Sequence, residues 1–148
     1  MAAEEKQAIE KLALFFYFCF MDEGRAHAAT EKAVKSIREQ SSKESWDARV
    51  VRASKRVLDK QKDFGTVSHI GFVQGHIEFP EGSNWGPWFE FRKQSETDSF
   101  TSVIWVKILG ISPEDVAQGL DLTEGTVRFR LSHALRDMGK IISGEATV

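Results

Sequence analysis

The sequence predicts a mainly α-helical protein of two small helical units, joined by an aromatic segment that has room for a short β-hairpin. Apolar residues recur at spacings of three and four, the helical period, in the first and last thirds of the 148-residue chain. Residues 65–100 hold five glycines and two prolines, whereas one glycine and no proline precede residue 65. The composition, 41% apolar and 28% charged, is typical of a globular protein. We therefore expect helical units at residues 1–64 and 99–148 and an ordered connecting segment at 65–98.

The first unit is predicted to contain three helices. Apolar residues from Ala8 to Phe20 line one side of the first helix and nearly surround its middle, which indicates a central place in the core. An acidic turn at residues 22–24 ends that helix, and an alanine-rich helix is expected at about 26–39. Serines before Trp46 offer caps for a third helix at about 46–60.

The outer side of the third helix is predicted to be basic. Seven lysines and arginines lie between Lys43 and Lys62 in the sequence, against three acidic residues. Such a stretch is either an ordinary solvated helix face or a surface that contacts phosphate groups. The second interpretation makes it a second basic surface, formed by Arg49, Arg52, Lys55 and Arg56.

The connecting segment differs in composition from both units. Between Gly65 and Phe91, apolar residues come in short bursts separated by glycines, a pattern closer to short strands or an ordered loop than to a helix. The aromatic surface at the end of the segment is costly to leave in water. We expect it to pack on a helical unit or on a partner, through Trp85, Trp88, Phe89 and Phe91.

The last third has the signals of a helix-turn-helix. A helical spacing that begins at Phe100 stops before Ser112, which precedes a proline and two acidic residues in the pattern of a capped helix start. This short helix is expected to end near Gly119. Thr123 then caps a second helix, whose buried stripe begins at Val127. Two short helices joined by a turn of three or four residues form a helix-turn-helix.

The second helix of this motif is predicted to present side chains that read DNA. Arginine makes bidentate contacts to guanine, hydroxyl groups reach phosphates or bases, and the free amides at a helix start bind phosphate. A major groove about 12 Å wide admits such a helix. The predicted DNA-binding residues are Thr123, Glu124, Gly125, Thr126, Arg128, Phe129, Arg130, Ser132, His133 and Arg136.

Residues 112–138, SPEDVAQGLDLTEGTVRFRLSHALRDM, resemble region 4 of bacterial sigma factors, especially those of the small extracytoplasmic-function group. In that group a run of the type E-E-I-A-x-x-L-G-I-x-E-G-T-V-x-x-R-L-x-x-A forms the element that reads the promoter's −35 box. The agreement clusters where the helices and the turn meet, at Glu114, Val116, Ala117, Leu122, Glu124, Gly125, Thr126, Val127, Arg130, Leu131 and Ala134.

A weaker similarity covers residues 8–62, which resemble region 2 of the same group. The resemblance implies a transcription factor that binds promoter DNA, with core RNA polymerase as a candidate partner, because region 2 of the family binds the polymerase clamp helices. The chain also departs from the family pattern. The family's polymerase-binding positions are occupied by Ala28, Glu31 and Lys32, and the usual turn glycine is Asp121, which tolerates a left-handed backbone.

A second hypothesis makes the chain a sigma-like adaptor or mimic that acts through protein contacts without promoter recognition. The formal net charge of −2 provides no global attraction to nucleic acid. The aromatic residues of the connecting segment would suit the core of a protein interface. The partner would then be a regulatory protein.

An enzyme is not expected. The four histidines are scattered, with no carboxylate or thiol at a metal-ligand spacing, and no phosphate-binding glycine loop or nucleophile elbow is present. We therefore expect no cofactor and no metal. The single cysteine, Cys19, fits a reducing cytoplasm, and the longest apolar run, Leu12 to Met21, is about half the length of a membrane span. The sequence thus predicts a cytoplasmic protein without a membrane partner.

Overall fold

The computed structural model of the protein describes residues 2–40, 43–61 and 85–144. These residues form seven α-helices, with a π-helical turn after the fifth, and contain no strand, which confirms the mainly α fold. The β-hairpin and most of the glycine-rich connecting segment fall on residues outside these ranges. The elements are α1 (Ala3–Phe20), α2 (Glu23–Glu39), α3 (Trp46–Asp59), α4 (Gly86–Gln94), α5 (Thr97–Val103), the π-helical turn (Ile104–Ile108), α6 (Pro113–Leu120) and α7 (Glu124–Ser143).

Helices α1, α2 and α3 pack on one another and bury the apolar faces that the sequence predicts. Helices α1 and α2 pack against each other, and the phenylalanines Phe15, Phe16 and Phe20 of α1 and the alanines Ala26, Ala29 and Ala33 of α2 are all buried in the same core. Helix α2 begins earlier than expected, because the Asp22 carboxylate caps it by accepting a hydrogen bond from the Arg25 amide. Ser45 caps α3 in the same way, by accepting from the Ala48 amide.

Helix α4 contradicts the expectation that the segment up to Phe91 is closer to strand or loop than to helix. Pro87 lies in its first turn, where a missing backbone N–H costs nothing. The Trp88 indole donates to the Phe18 carbonyl at 3.2 Å, and Phe91 is fully buried. The prediction that these aromatic residues pack on a helical unit is therefore confirmed for Trp88 and Phe91.

Trp105, in the π-helical turn, joins the C-terminal part of the chain to the first three helices. Its ring stacks on Phe15 with centroids 5.4 Å apart, and its indole N–H donates to the Ser54 hydroxyl at 3.0 Å. Burying a tryptophan is favourable where its N–H finds such a partner. Hence one continuous core extends from α1 to α7 among the described residues.

Gly119 of α6 lies very close to the backbone and a side chain of α3. A Cβ placed on Gly119 would be 2.6 Å from the Ala48 carbonyl oxygen and 2.7 Å from the Val51 Cβ. The Ala48 carbonyl and the Val51 Cβ both belong to α3, and neither atom can move away without the rest of that helix. Only glycine therefore allows the α3–α6 contact as it stands.

We expect Gly119→Ala to destabilise the protein by about 1–3 kcal/mol, because the added methyl group overpacks the α3–α6 contact. The measurement is the free energy of unfolding from chemical denaturation. Gly139→Ala in α7 is the matched control, since its Cβ would meet nothing within 4 Å. This control should gain about 0.5–1 kcal/mol from helix propensity. Equal effects of the two changes would contradict the close approach at Gly119.

Candidate nucleic-acid interface

Local hydrogen bonds define the turn between α6 and α7. The Ser112 hydroxyl caps α6 by accepting from the Asp115 amide. At the other end of α6, Asp121 adopts the predicted left-handed conformation with φ of 57°. The Leu122 amide donates a hydrogen bond to the Ala117 carbonyl at 2.9 Å. The Thr123 hydroxyl then caps α7 by accepting from the Thr126 amide. These bonds fix the angle at which α7 leaves the turn.

Helix α7 has one buried face and one open face. The buried face includes Val127, Leu131 and Ala134 and packs on α5 and α6. None of the ten residues predicted to read DNA is buried: Thr126 and Arg130 are half-buried, and the exposed ones are Thr123, Glu124, Gly125, Arg128, Phe129, Ser132, His133 and Arg136. The structure thus brings the predicted residues together along the start and the outer face of one helix.

The cations of α7 differ in how strongly they are held. Arg128 pairs with Glu124 at 2.7 Å one turn away, with 62% of its side chain exposed, and such exposed pairs contribute little to stability. Arg136 has no ion pair among the residues that the structure describes. Arg130 is less accessible, because it lies 3.7 Å from Asp98 of α5. On the open face, Arg128 and Arg136 are therefore more accessible to a ligand than Arg130 is.

Phe129 is the largest exposed apolar side chain near the start of α7. It is 71% exposed, and its ring lies 6.3 Å from that of His133, one turn further along the helix. His133 in turn lies 3.3 Å from Asp137. An aromatic ring in this position supplies an apolar contact on a face that is otherwise polar.

The acidic turn residue Asp121 is engaged by Arg52 of α3. The Arg52 guanidinium donates to both carboxylate oxygens, at 2.9 and 3.1 Å, and also to the Gln118 carbonyl at 2.9 Å. These hydrogen bonds and the charge of Arg52 lower the pKa of Asp121. Glu44 holds the guanidinium from the other side at 2.7 Å. Arg52 therefore ties the turn of the helix-turn-helix to α3.

The predicted second basic surface does not form as one exposed face. Arg49 is buried, with its guanidinium 3.8 Å from the centre of the Trp46 ring and a hydrogen bond to the Ile37 carbonyl. Arg52 is engaged at the turn, as described above. Lys55 lies between two carboxylates, 2.8 Å from Asp59 and 3.5 Å from Asp98. Only Arg56 of the four is exposed. The reason is that α3 contacts helices on several sides, so most of its cations face a neighbour.

Other kinds of site receive no support from the described part of the chain. It holds no group of three or more histidine, cysteine, aspartate or glutamate side chains that is suited to a metal ion. Among the helices given above, none combines the length and the apolar character needed to cross a bilayer. Cys19 is fully buried, and burial raises the pKa of its thiol, which disfavours the reactive thiolate.

Comparison of the chain with protein-family models, with curated proteins and with solved structures gives no match. The resemblance to sigma factors accordingly rests on the residues of the helix-turn-helix and on the weaker pattern of the first three helices.

The ion pair between Arg52 and Asp121 predicts a pH dependence of stability. Because the pKa of Asp121 is lowered in the folded chain, the pair stabilises the fold above the ordinary aspartate pKa of about 3.9. This stabilisation is lost as the pH falls through the lower, folded pKa. We expect Asp121→Asn, which keeps the left-handed turn, to lower the denaturation midpoint at pH 7 and to differ less from the parent protein near pH 3.

The control for this experiment is a double-mutant cycle with Arg52→Gln. In the Arg52→Gln protein, Asp121→Asn should change the denaturation midpoint at pH 7 only a little, since the guanidinium is already absent. An undiminished effect would show that Asp121 acts on stability without Arg52.

Proposed function

We propose that the chain is a DNA-binding transcription factor that resembles a sigma factor and inserts α7 into the major groove of promoter DNA. The observation that carries the proposal is the division of α7 into a sealed apolar face and an open face bearing Arg128, Phe129, Ser132, His133 and Arg136. These side chains offer guanidinium, hydroxyl, imidazole and aromatic groups, which are the chemistries that contact bases and phosphates.

The electrostatics near the turn support this proposal despite the acidic total charge. Asp121 would repel a phosphate backbone if it were free, but it is paired with Arg52. Asp137 lies beside His133, and Arg136 and Lys140 remain exposed on the same helix. The capped start of α7 adds free backbone amides that suit a phosphate. The charge of Asp121 is thus offset near the turn, and two exposed cations lie further along the helix where DNA would lie.

Whether the factor also binds core RNA polymerase is a separate part of the proposal. The corresponding α2 positions, Ala28, Glu31 and Lys32, are exposed, but they differ from the family's residues and Glu31 is paired with His27. We propose promoter DNA as the primary partner and a cytoplasmic site of action, where a lone cysteine remains reduced. Co-purification of the full chain with core polymerase separates an initiation factor from a regulator.

The packing of Phe91 weakens one of the arguments for the adaptor hypothesis. Phe91 is fully buried and contacts Phe100 within the core, and the half-buried Trp88 packs against the same ring. Helix α4 therefore does not present the Phe91 ring to a partner protein. Recovery of a protein partner with no binding to any duplex would nevertheless favour the adaptor over the DNA-binding factor.

DNA binding is tested with a duplex selected by this protein from a random pool. Arg128→Ala should weaken binding by about 1–3 kcal/mol and relax the sequence preference at one position, as expected for a base contact. Arg136→Ala should weaken binding to all sequences and reduce the salt slope by about one, as expected for a phosphate contact. Fluorescence anisotropy over a range of salt concentrations measures both quantities.

Lys6→Ala, which removes an exposed cation from α1, is the matched control and should leave affinity and salt slope unchanged. DNA binding that is insensitive to salt would contradict the assignment of α7 as the DNA-binding helix. An equal loss of DNA affinity in the Arg128, Arg136 and Lys6 variants would contradict it as well.

Phe129 is expected to contact a thymine methyl group, because an exposed ring in the groove has no hydrogen bond to offer. Replacing single thymines by uracil in the selected duplex should then weaken binding at one position for the parent protein and not for Phe129→Ala. Since Phe129 is largely exposed, the substitution should change the free energy of unfolding by less than about 0.5 kcal/mol. An equal response of both proteins at every thymine would exclude this contact.

A further inference from the structure

A basic groove of about 320 Å³ lies between α2 and α3, away from the helix-turn-helix. We call it the α2–α3 groove. Four cations line it, two from each helix: Lys32 and Lys35 from α2, and Arg56 and Lys60 from α3. Glu39 is the carboxylate in the lining, so the groove carries a clear excess of positive charge. This local excess of positive charge contrasts with the formal net charge of −2 for the whole chain.

The four cations of the α2–α3 groove are not paired with any carboxylate that the structure describes. All four cations are exposed, and none forms an ion pair or a side-chain hydrogen bond within the described ranges of the chain. By contrast, the neighbouring Lys55 on α3 is held by Asp59 and Asp98. Four like charges brought together without partners repel one another, and this repulsion is relieved when an anion binds between them.

The Ser36 hydroxyl provides a second, independent sign of a ligand. Ser36 lines the same groove, and its oxygen is buried with no hydrogen-bond partner. A buried hydroxyl without a partner costs free energy, so native proteins seldom leave one unsatisfied. An anion that enters the groove would make contacts with both cationic walls, and a rotation of the Ser36 side chain toward the groove would let its hydroxyl donate a hydrogen bond to the anion.

We propose that the α2–α3 groove binds the phosphate groups of a small free oligophosphate, either inorganic or part of a nucleotide. Its volume is in the range of small-molecule sites, and its donors are ammonium, guanidinium and hydroxyl groups, which bind phosphate oxygens. None of the described residues that line the groove is aromatic, and Val57, its large aliphatic side chain, is buried, so the described lining offers no ring on which a base could stack. The groove therefore recognises the phosphates more than any base attached to them.

A small ligand fits this groove better than the backbone of a nucleic acid. A duplex needs cations along an extended surface, and the next cations along α3, Arg52 and Lys55, are engaged by carboxylates. The inference goes beyond the DNA-binding proposal and does not depend on it.

The test is calorimetric titration of the full chain with inorganic triphosphate, and separately with adenosine triphosphate, in low-salt buffer. We expect saturable binding that weakens with added salt and a rise in the melting temperature that sulfate at equal ionic strength does not reproduce. Lys35→Gln and Arg56→Gln should each weaken binding about tenfold, and Ser36→Ala should weaken it less. Tighter binding of adenosine triphosphate would identify the source as a nucleotide, and equal binding would identify it as an inorganic oligophosphate.

Lys93→Gln is the matched control, because it removes one exposed charge from α4, outside the groove, and should leave the affinity unchanged. Absence of saturable binding, or equal affinity in all variants, would overturn the proposal. It would also be overturned if Lys35→Gln and Arg56→Gln weakened binding of a DNA duplex while the parent protein bound no triphosphate. That last result would assign the groove to a nucleic-acid backbone.

Discussion

The contact between α3 and α6 is the constraint on which the rest of the arrangement depends. Gly119 lets the two backbones approach more closely than any other residue would allow, and Arg52 fastens the end of α6 to α3 through the Asp121 carboxylate and the Gln118 carbonyl. Ser45 adds a hydrogen bond to Asp115 at the other end of α6. Because the capped turn connects α6 directly to α7, fixing α6 on α3 also fixes the direction of the proposed DNA-reading helix.

This docking distinguishes the protein from the sigma-factor pattern that its helix-turn-helix resembles. The resemblance implies two regions joined by a flexible linker, whereas the described helices share one core in which Trp105 contacts Phe15 and Ser54. Burial of such a large ring with its N–H satisfied makes separation of the two parts costly. A transcription factor built in this way would present α7 from a fixed platform instead of from an independently moving domain.

The cations of the chain lie in three different environments, which the total charge does not indicate. Arg49 and Arg52 face inward and hold helices together through an aromatic ring, carbonyl oxygens and carboxylates. Arg128 and Arg136 face outward on α7. The cations of the α2–α3 groove are exposed without anionic partners. A chain with slightly more acidic than basic residues can therefore still present exposed cations on two separate surfaces, because some of its carboxylates, such as Glu44 and Asp121, are paired with the inward-facing Arg52.

The sequence by itself determined the features that depend on local chemistry. The caps at Ser112 and Thr123, the left-handed turn at Asp121 and the buried stripe of α7 each follow from residues a few positions apart. Helix α4 was missed because nine residues with aromatic rings on several sides show no clear helical period. Only the tertiary structure decided that Arg52 belongs to the turn and that Arg49 is buried. The partner of Arg52, Asp121, lies 69 positions away in sequence, and no local pattern indicates which distant carboxylate a surface arginine will meet once the helices have packed.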